Sequence, residues 1–137
     1  MIVFTNGVFD ILHAGHIHCL EMAARHGRLV VGVNSDASAT RFKRKPINDE
    51  QSRIAVIRAL KCVDMAMLFD EYTPARLIRE VKPDLYVKGG DYSIEELDFG
   101  VEVLLIKRLA GYSTSAAIER VKASLNTERA CESSVPR

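Results

Sequence analysis

Two histidines three residues apart, His13 and His16, follow a glycine turn that closes a short apolar run. Residues 3–16 read V-F-T-N-G-V-F-D-I-L-H-A-G-H. Three-residue spacing puts both imidazoles on one face, in the first turn of a helix. Backbone N–H groups lack intrahelical partners there and the helix dipole is positive, so an anion beside the rings meets several donors at once. This is equipment for holding phosphate, not for attacking a carbonyl. Two plainer readings stay open on these residues alone. A glycine turn between strand and helix is common in α/β proteins, and the histidines are then ordinary satisfied side chains. His13, His16 and Cys19, each three apart, could instead share a helical face around a metal. Zinc ligands on one helix are more often four apart and no second Cys/His cluster completes a tetrahedral set, so no metal site is expected.

The elements that must carry these residues alternate between strand and helix. Apolar runs at Ile2–Phe4, Leu29–Val33, Val63–Phe69, Leu85–Val87 and Val101–Ile106 are too short for helices and read as buried parallel strands. Helical spacing follows over His16–His26 and over Asp49–Lys61, where Ile54, Ile57 and Leu60 recur on one face. Thr73–Val81 opens with Thr-Pro, which predicts a capping residue and a proline at the first helical position. A last helix begins near Ser115, with Ile118 and Val121 facing inward. Strand–helix–strand repetition with short loops implies right-handed crossovers and an open parallel sheet flanked by helices. The fold class is therefore α/β, a Rossmann-like five-stranded parallel sheet. Ligands in such sheets bind beyond the carboxyl ends of the strands. The loop after the first strand holds the histidines, and later loops hold K-G-G-D and G-Y-S-T-S, so three separate motifs converge on one edge.

Composition narrows the class. At 137 residues the chain fits one domain with a real core. A net charge of +1 gives no global pull toward nucleic acid or an anionic membrane, although R-F-K-R-K at 41–45 is a local basic run. Cys19, Cys62 and Cys131 are odd in number and unpatterned, which suits a reducing cytosol. No apolar run approaches the roughly 18 residues of a membrane span, and Met1 leads directly into a strand. A cytoplasmic location is expected. Residues 124–137 are polar and aperiodic, and are expected to form a disordered tail behind a domain spanning 1–123.

The motifs resemble those of a known family. T-N-G-V-F-D-I-L-H-A-G-H looks like the first-strand and H-x-G-H signature of the nucleotidyltransferase superfamily that includes cytidylyltransferases and adenylyltransferases. V-G-V-N-S-D-A-S at 31–38, Q-S-R at 51–53, V-K-P-D-L-Y-V-K-G-G-D-Y at 81–92 and G-Y-S-T-S at 111–115 agree in order. The likeness extends most closely to the adenylyltransferase domain of bacterial ADP-heptose synthase, where N-S-D-A-S and V-K-G-G-D-Y occur in these forms. It implies AMP transfer from ATP to a sugar 1-phosphate, with pyrophosphate released, a magnesium requirement and a homodimer. The expected partners are a nucleoside triphosphate and a phosphorylated sugar or polyol.

Such a reaction is positioning plus electrostatics, because a phosphate oxygen of one substrate attacks the α-phosphorus of the other directly. The resemblance assigns His13 and His16 to the triphosphate, and Lys43 and Arg53 to catalysis. Gly15 between the histidines would let the backbone approach phosphate. Asn6, Gly7 and Phe9 shape the turn, and Asp10 stands near the phosphates to orient the acceptor or a magnesium-bound water. Gly89 and Asp91 are expected beside the nucleoside, with Ser113 and Thr114 on a triphosphate oxygen at the start of the last helix. Arg108 belongs to R-L-A-G-Y-S-T-S, which also resembles the cytidylyltransferase element R-T-E-G-I-S-T-S. Cytidylyltransferases often carry G-D-D where this chain has Gly89-Gly90-Asp91, so adenine is the expected base. Between Asp91 and the last strand the chain has only S-I-E-E-L-D-F-G, shorter than in the heptose enzymes.

Overall fold

Five parallel strands form one sheet in the order β3-β2-β1-β4-β5. The computed structural model describes residues 1–42 and 44–134, with the side chains of Phe42 and of residues 130–134 outside the description. The strands are β1 (Ile2–Gly7), β2 (Arg28–Asn34), β3 (Met65–Phe69), β4 (Leu85–Gly89) and β5 (Glu102–Ile106). The helices are α1 (Ala14–Ala24), α2 (Asp36–Phe42), α3 (Glu50–Arg58), α4 (Ala75–Val81) and α5 (Thr114–Ser134), with a single 3-10 turn at Glu95–Leu97. Sequence order reverses between β1 and β4, which pair through Val3 with Leu85 and Phe4 with Tyr86. Helix crossovers lie on both sides, so this is the Rossmann-like doubly covered sheet.

Side-chain alternation along the strands builds two cores rather than one. Val3, Val31, Leu85 and Val87 point to the face covered by α1 and α3, where they meet Leu20, Ile54 and Ile57. Phe4, Val30 and Tyr86 point to the opposite face and meet Leu77 and Ile78 of α4 together with Leu97. The segment after β4 therefore lies on the α4 face, anchored by its one buried leucine. Continuing the same alternation, Asn6 and Lys88 leave the sheet edge on the α4 side.

Two local expectations are corrected. Thr73 does not cap α4: Pro74 occupies the N-cap position and no side-chain cap bond is made. At its other end the helix stops at Val81, as expected, with Lys82 as C-cap in a left-handed backbone (φ 50°) before Pro83. The tail from Ser124 is helical, not irregular, as α5 runs to Ser134. No glycine or proline interrupts residues 114–134, and Ala, Glu, Lys, Arg and Leu there favour helix even though the surface they build is exposed. Among the described residues Cys19 and Cys62 are free thiols. No helix among them is long and apolar enough to cross a membrane.

Candidate active site

The loops beyond the carboxyl ends of β1, β4 and β5 enclose a cleft of about 1090 Å³. That is at the upper end of small-molecule sites, room for two substrates side by side. The sequence-predicted positions line it except Arg53 and Asp91, while Lys43 lies outside the described residues.

The histidines are held by the helix they begin. His13 is the N-cap of α1, and its Nδ1 accepts the Gly15 N–H at 3.1 Å. His16 Nδ1 accepts the His13 N–H at 3.2 Å, completing a capping box made of two imidazoles where serine and glutamate are more usual. The rings stack at 3.8 Å between centroids. A nitrogen that accepts carries no proton, so each neutral ring has its proton on Nε2. The capping box thus fixes the tautomer and makes both histidines Nε2 donors. Burial, with the positive charges of Arg108 and Arg120 added, holds His13 below the ordinary imidazole pKa and favours the neutral form that the cap requires.

Gly15 serves the cap as well. A Cβ at Gly15 would come within 2.9 Å of the His13 ring and 3.0 Å of Tyr112 Cβ. Close approach of phosphate to the backbone was the expected reason for this glycine; the structure shows the neighbouring histidine ring already in that space.

The turn leading to the histidines is strained and clamped. Phe9 and Ile11 both have left-handed backbones, φ 53° and 48°, which cost side-chain-bearing residues roughly 1–2 kcal/mol each. Three distant groups hold the turn. Arg53 donates to Val8 O at 2.7 Å, Thr114 Oγ1 donates to Asp10 O at 2.7 Å, and the Asp10 carboxylate accepts the N–H groups of Ile47 (2.7 Å) and Asn48 (3.0 Å). Asp10 thereby ties the 44–48 loop to the cleft floor, with Arg44 3.7 Å away.

Arg53 itself is corrected from catalyst to brace. Its guanidinium is 1% exposed, donates also to Asn34 O and Asn48 O, and pairs with Asp36 at 2.8 Å. Every direction in which it could reach a substrate is occupied by protein. Asp91 is exposed outside the cleft lining, beyond Gly90, whose φ of +107° turns the chain sharply at the end of β4. Ser113 caps α5, its Oγ accepting the Ala116 N–H at 3.0 Å, and Ser113, Thr114 and Ser115 bring the start of that helix to the cleft lining.

Lys88 was legible but not singled out. Its Nζ donates to Asn6 O at 2.7 Å and Asn6 Oδ1 at 3.3 Å, and sits 5.2 Å above the Tyr92 ring. Tyr86 also donates its hydroxyl to Asn6 Oδ1. A lysine in the apolar strand L-Y-V-K-G, on the same face as Tyr86, was the available signal. Arg44, Lys107 and Arg108 add cations to the lining. The cleft is therefore lined by donors at helix starts and by cations, among them the strand-borne Lys88, an arrangement able to hold anionic groups.

Comparison with known proteins agrees with this geometry. Residues 4–120 match the cytidylyltransferase-like family. The chain belongs to that family. As a cytidylyltransferase-like domain it is a nucleotidyltransferase. It is 50% identical over 129 residues to the bifunctional protein HldE of Wolinella succinogenes, covering 90% of this chain and 27% of that protein. It is 48% identical to HldE of Helicobacter pylori over 91% of this chain and 28% of the relative. The chain thus spans little more than a quarter of these relatives. The solved lipopolysaccharide core biosynthesis protein of Thermoplasma volcanium GSS1 superposes with a TM-score of 0.70 at 38% identity, covering 80% of this chain and 96% of that one.

Among the described residues no three metal-liganding groups converge. Asp10, the carboxylate expected near magnesium, already has both oxygens on backbone N–H groups.

Proposed function

We propose that this cytidylyltransferase-like domain transfers AMP from ATP to a sugar 1-phosphate, D-glycero-D-manno-heptose 1-phosphate by preference, releasing pyrophosphate. The carrying observation is the imidazole capping box, which presents two Nε2–H donors at a helix start. In the reaction the acceptor's phosphate oxygen attacks the α-phosphorus, and the bond to pyrophosphate breaks. Charge accumulates on the α-phosphate and the leaving group, where neutral imidazole donors and the first N–H groups of α5 stabilise it. Magnesium would be supplied with the triphosphate, where it would neutralise part of the charge before an anionic acceptor approaches.

The preference for adenine rests on Gly90, where cytidine-using relatives often carry a carboxylate that would accept from the cytosine amino group. A pocket without that acceptor reads its base by backbone and shape. One observation favours the cytidylyltransferase alternative, with CTP and an alcohol phosphate: Arg108 lines the cleft, as the R-x-x-G-x-S-T-S likeness requires. Pyrophosphate release measured with ATP and CTP, against heptose 1-phosphate, mannose 1-phosphate and glycerol 3-phosphate, decides between them. ATP with a sugar 1-phosphate should exceed CTP by at least about tenfold in kcat/KM. A faster reaction with CTP would replace this reading.

A further inference from the structure

Two carboxylates line the cleft among the described residues, Asp10 and Glu96, and they differ in what they can still do. Asp10 is 5% exposed and fully engaged by the 44–48 loop. Glu96 is exposed, and among the described residues only its Oε2 is hydrogen-bonded. Its Oε2 accepts from Ser93 N–H at 2.7 Å and from Ser93 Oγ at 3.1 Å, while Ser93 Oγ accepts the Glu96 N–H at 3.3 Å. This reciprocal pair orients the carboxylate, and Leu97, 4% exposed beneath it, fixes the 3-10 turn to the core. Tyr92 borders the same wall, with its ring beside Lys88.

A carboxylate repels phosphate, so an oriented one in a cleft built for two polyanions needs another object. The groups a carboxylate binds well, and that both substrates carry, are hydroxyls, through charge-assisted hydrogen bonds. Its place selects which substrate. The triphosphate donors come from the helix starts of α1 and α5, which Thr114 ties together through Asp10 O, whereas Lys88 leaves β4 on the α4 side and Tyr92 and Glu96 belong to the segment that follows it. We propose that Glu96, oriented by Ser93, reads the hydroxyl groups of the acceptor sugar while Lys88 faces its phosphate. This rests on the nucleotidyl-transfer reading above, and adds that a polyhydroxy ring is selected by one wall, residues 92–99, separate from the reacting groups.

The test is steady-state kinetics of the whole chain with ATP and D-glycero-D-manno-heptose 1-phosphate, comparing wild type with Glu96→Gln. Glutamine keeps an oxygen for Ser93, so the turn is retained while the charge is removed. Acceptor KM should rise about tenfold, with KM for ATP moving less than twofold. Wild type and variant are also compared on acceptors lacking single hydroxyls; for the hydroxyl that Glu96 reads, the two losses should be strongly non-additive. A rise in KM for ATP instead would assign Glu96 to the ribose and overturn the proposal, as would an acceptor KM that ignores the substitution. Failure of wild type to release pyrophosphate with every sugar 1-phosphate would overturn the functional reading itself, and with it this wall.

Discussion

The two faces of the sheet deliver different equipment to the same cleft. From the α1 side come groups whose positions are fixed by backbone: imidazoles locked by their own helix start, and a turn held in left-handed conformations by Arg53, Asp10 and Thr114. From the α4 face come longer side chains and one short turn, Lys88, Tyr92 and Glu96, held by side-chain bonds and a single leucine. Transition-state stabilisation demands donors fixed to within fractions of an ångström. Choosing a substrate demands only complementary groups on a replaceable wall. The contrast suggests that the first face carries the reaction and the second carries the choice of acceptor.

The largest expected effect removes the brace of the first face. Arg53→Met should cost about 3–5 kcal/mol in denaturant unfolding, because the Val8, Asn34 and Asn48 carbonyls and Asp36 lose their shared donor. A variant of normal stability that lost activity outright would return Arg53 to the chemistry and blur the division between faces.

Next come the histidines, where cap and donor can be separated. Asparagine can place an oxygen near the Nδ1 position, and glutamine can place an amide near Nε2. His16→Asn should therefore stay folded while turnover falls by about two to three orders of magnitude, roughly 3–4 kcal/mol. His16→Gln should recover part of the turnover at some cost in thermal stability, since a lost cap costs about 1 kcal/mol. If His16→Asn keeps its turnover while His16→Gln loses it, the capping role explains everything and Nε2 explains nothing.

Gly15→Ala sharpens the same point from the backbone side. Its Cβ must displace the His13 ring or Tyr112, at about 1–3 kcal/mol, and should lower activity without altering KM for the acceptor. The smallest effect is in pH dependence. His13 titrates below its ordinary value of 6.5 in the folded chain, so above 6.5 neither state is protonated and its contribution is constant. As pH falls from 6.5 through the folded-state pKa, the unfolded chain takes up a proton that the folded chain resists, and stability declines. Thermal unfolding should show that decline in wild type and not in His13→Asn.

Much of this was legible because it is written in side-chain pattern. The five apolar runs mark the five strands to within a few residues, and the three loop motifs do meet at one cleft. Arg53 was not legible as a brace, because three of its four partners are backbone carbonyls, which leave no mark in sequence. Nor was the use of His13 and His16 as caps, since imidazole is an uncommon cap. The continuation of α5 past Ser124 was missed because no apolar periodicity accompanies an exposed helix; unbroken helix-forming composition was the better guide. Lys88 stood in a recognised motif, and only its pairing with Asn6 across β1 and β4 gives it a role.

If the imidazoles serve nucleotidyl transfer to a sugar phosphate, label must pass from ATP carrying radioactive phosphorus at the α position when it is incubated with magnesium, heptose 1-phosphate and either wild type or His16→Asn. With wild type, label should enter a nucleoside diphosphate sugar in equal amount to pyrophosphate released, and His16→Asn, folded to the same extent, should form it at least about a hundredfold more slowly. Label remaining in ATP with wild type, or an equal rate with His16→Asn, would contradict that role of the imidazoles.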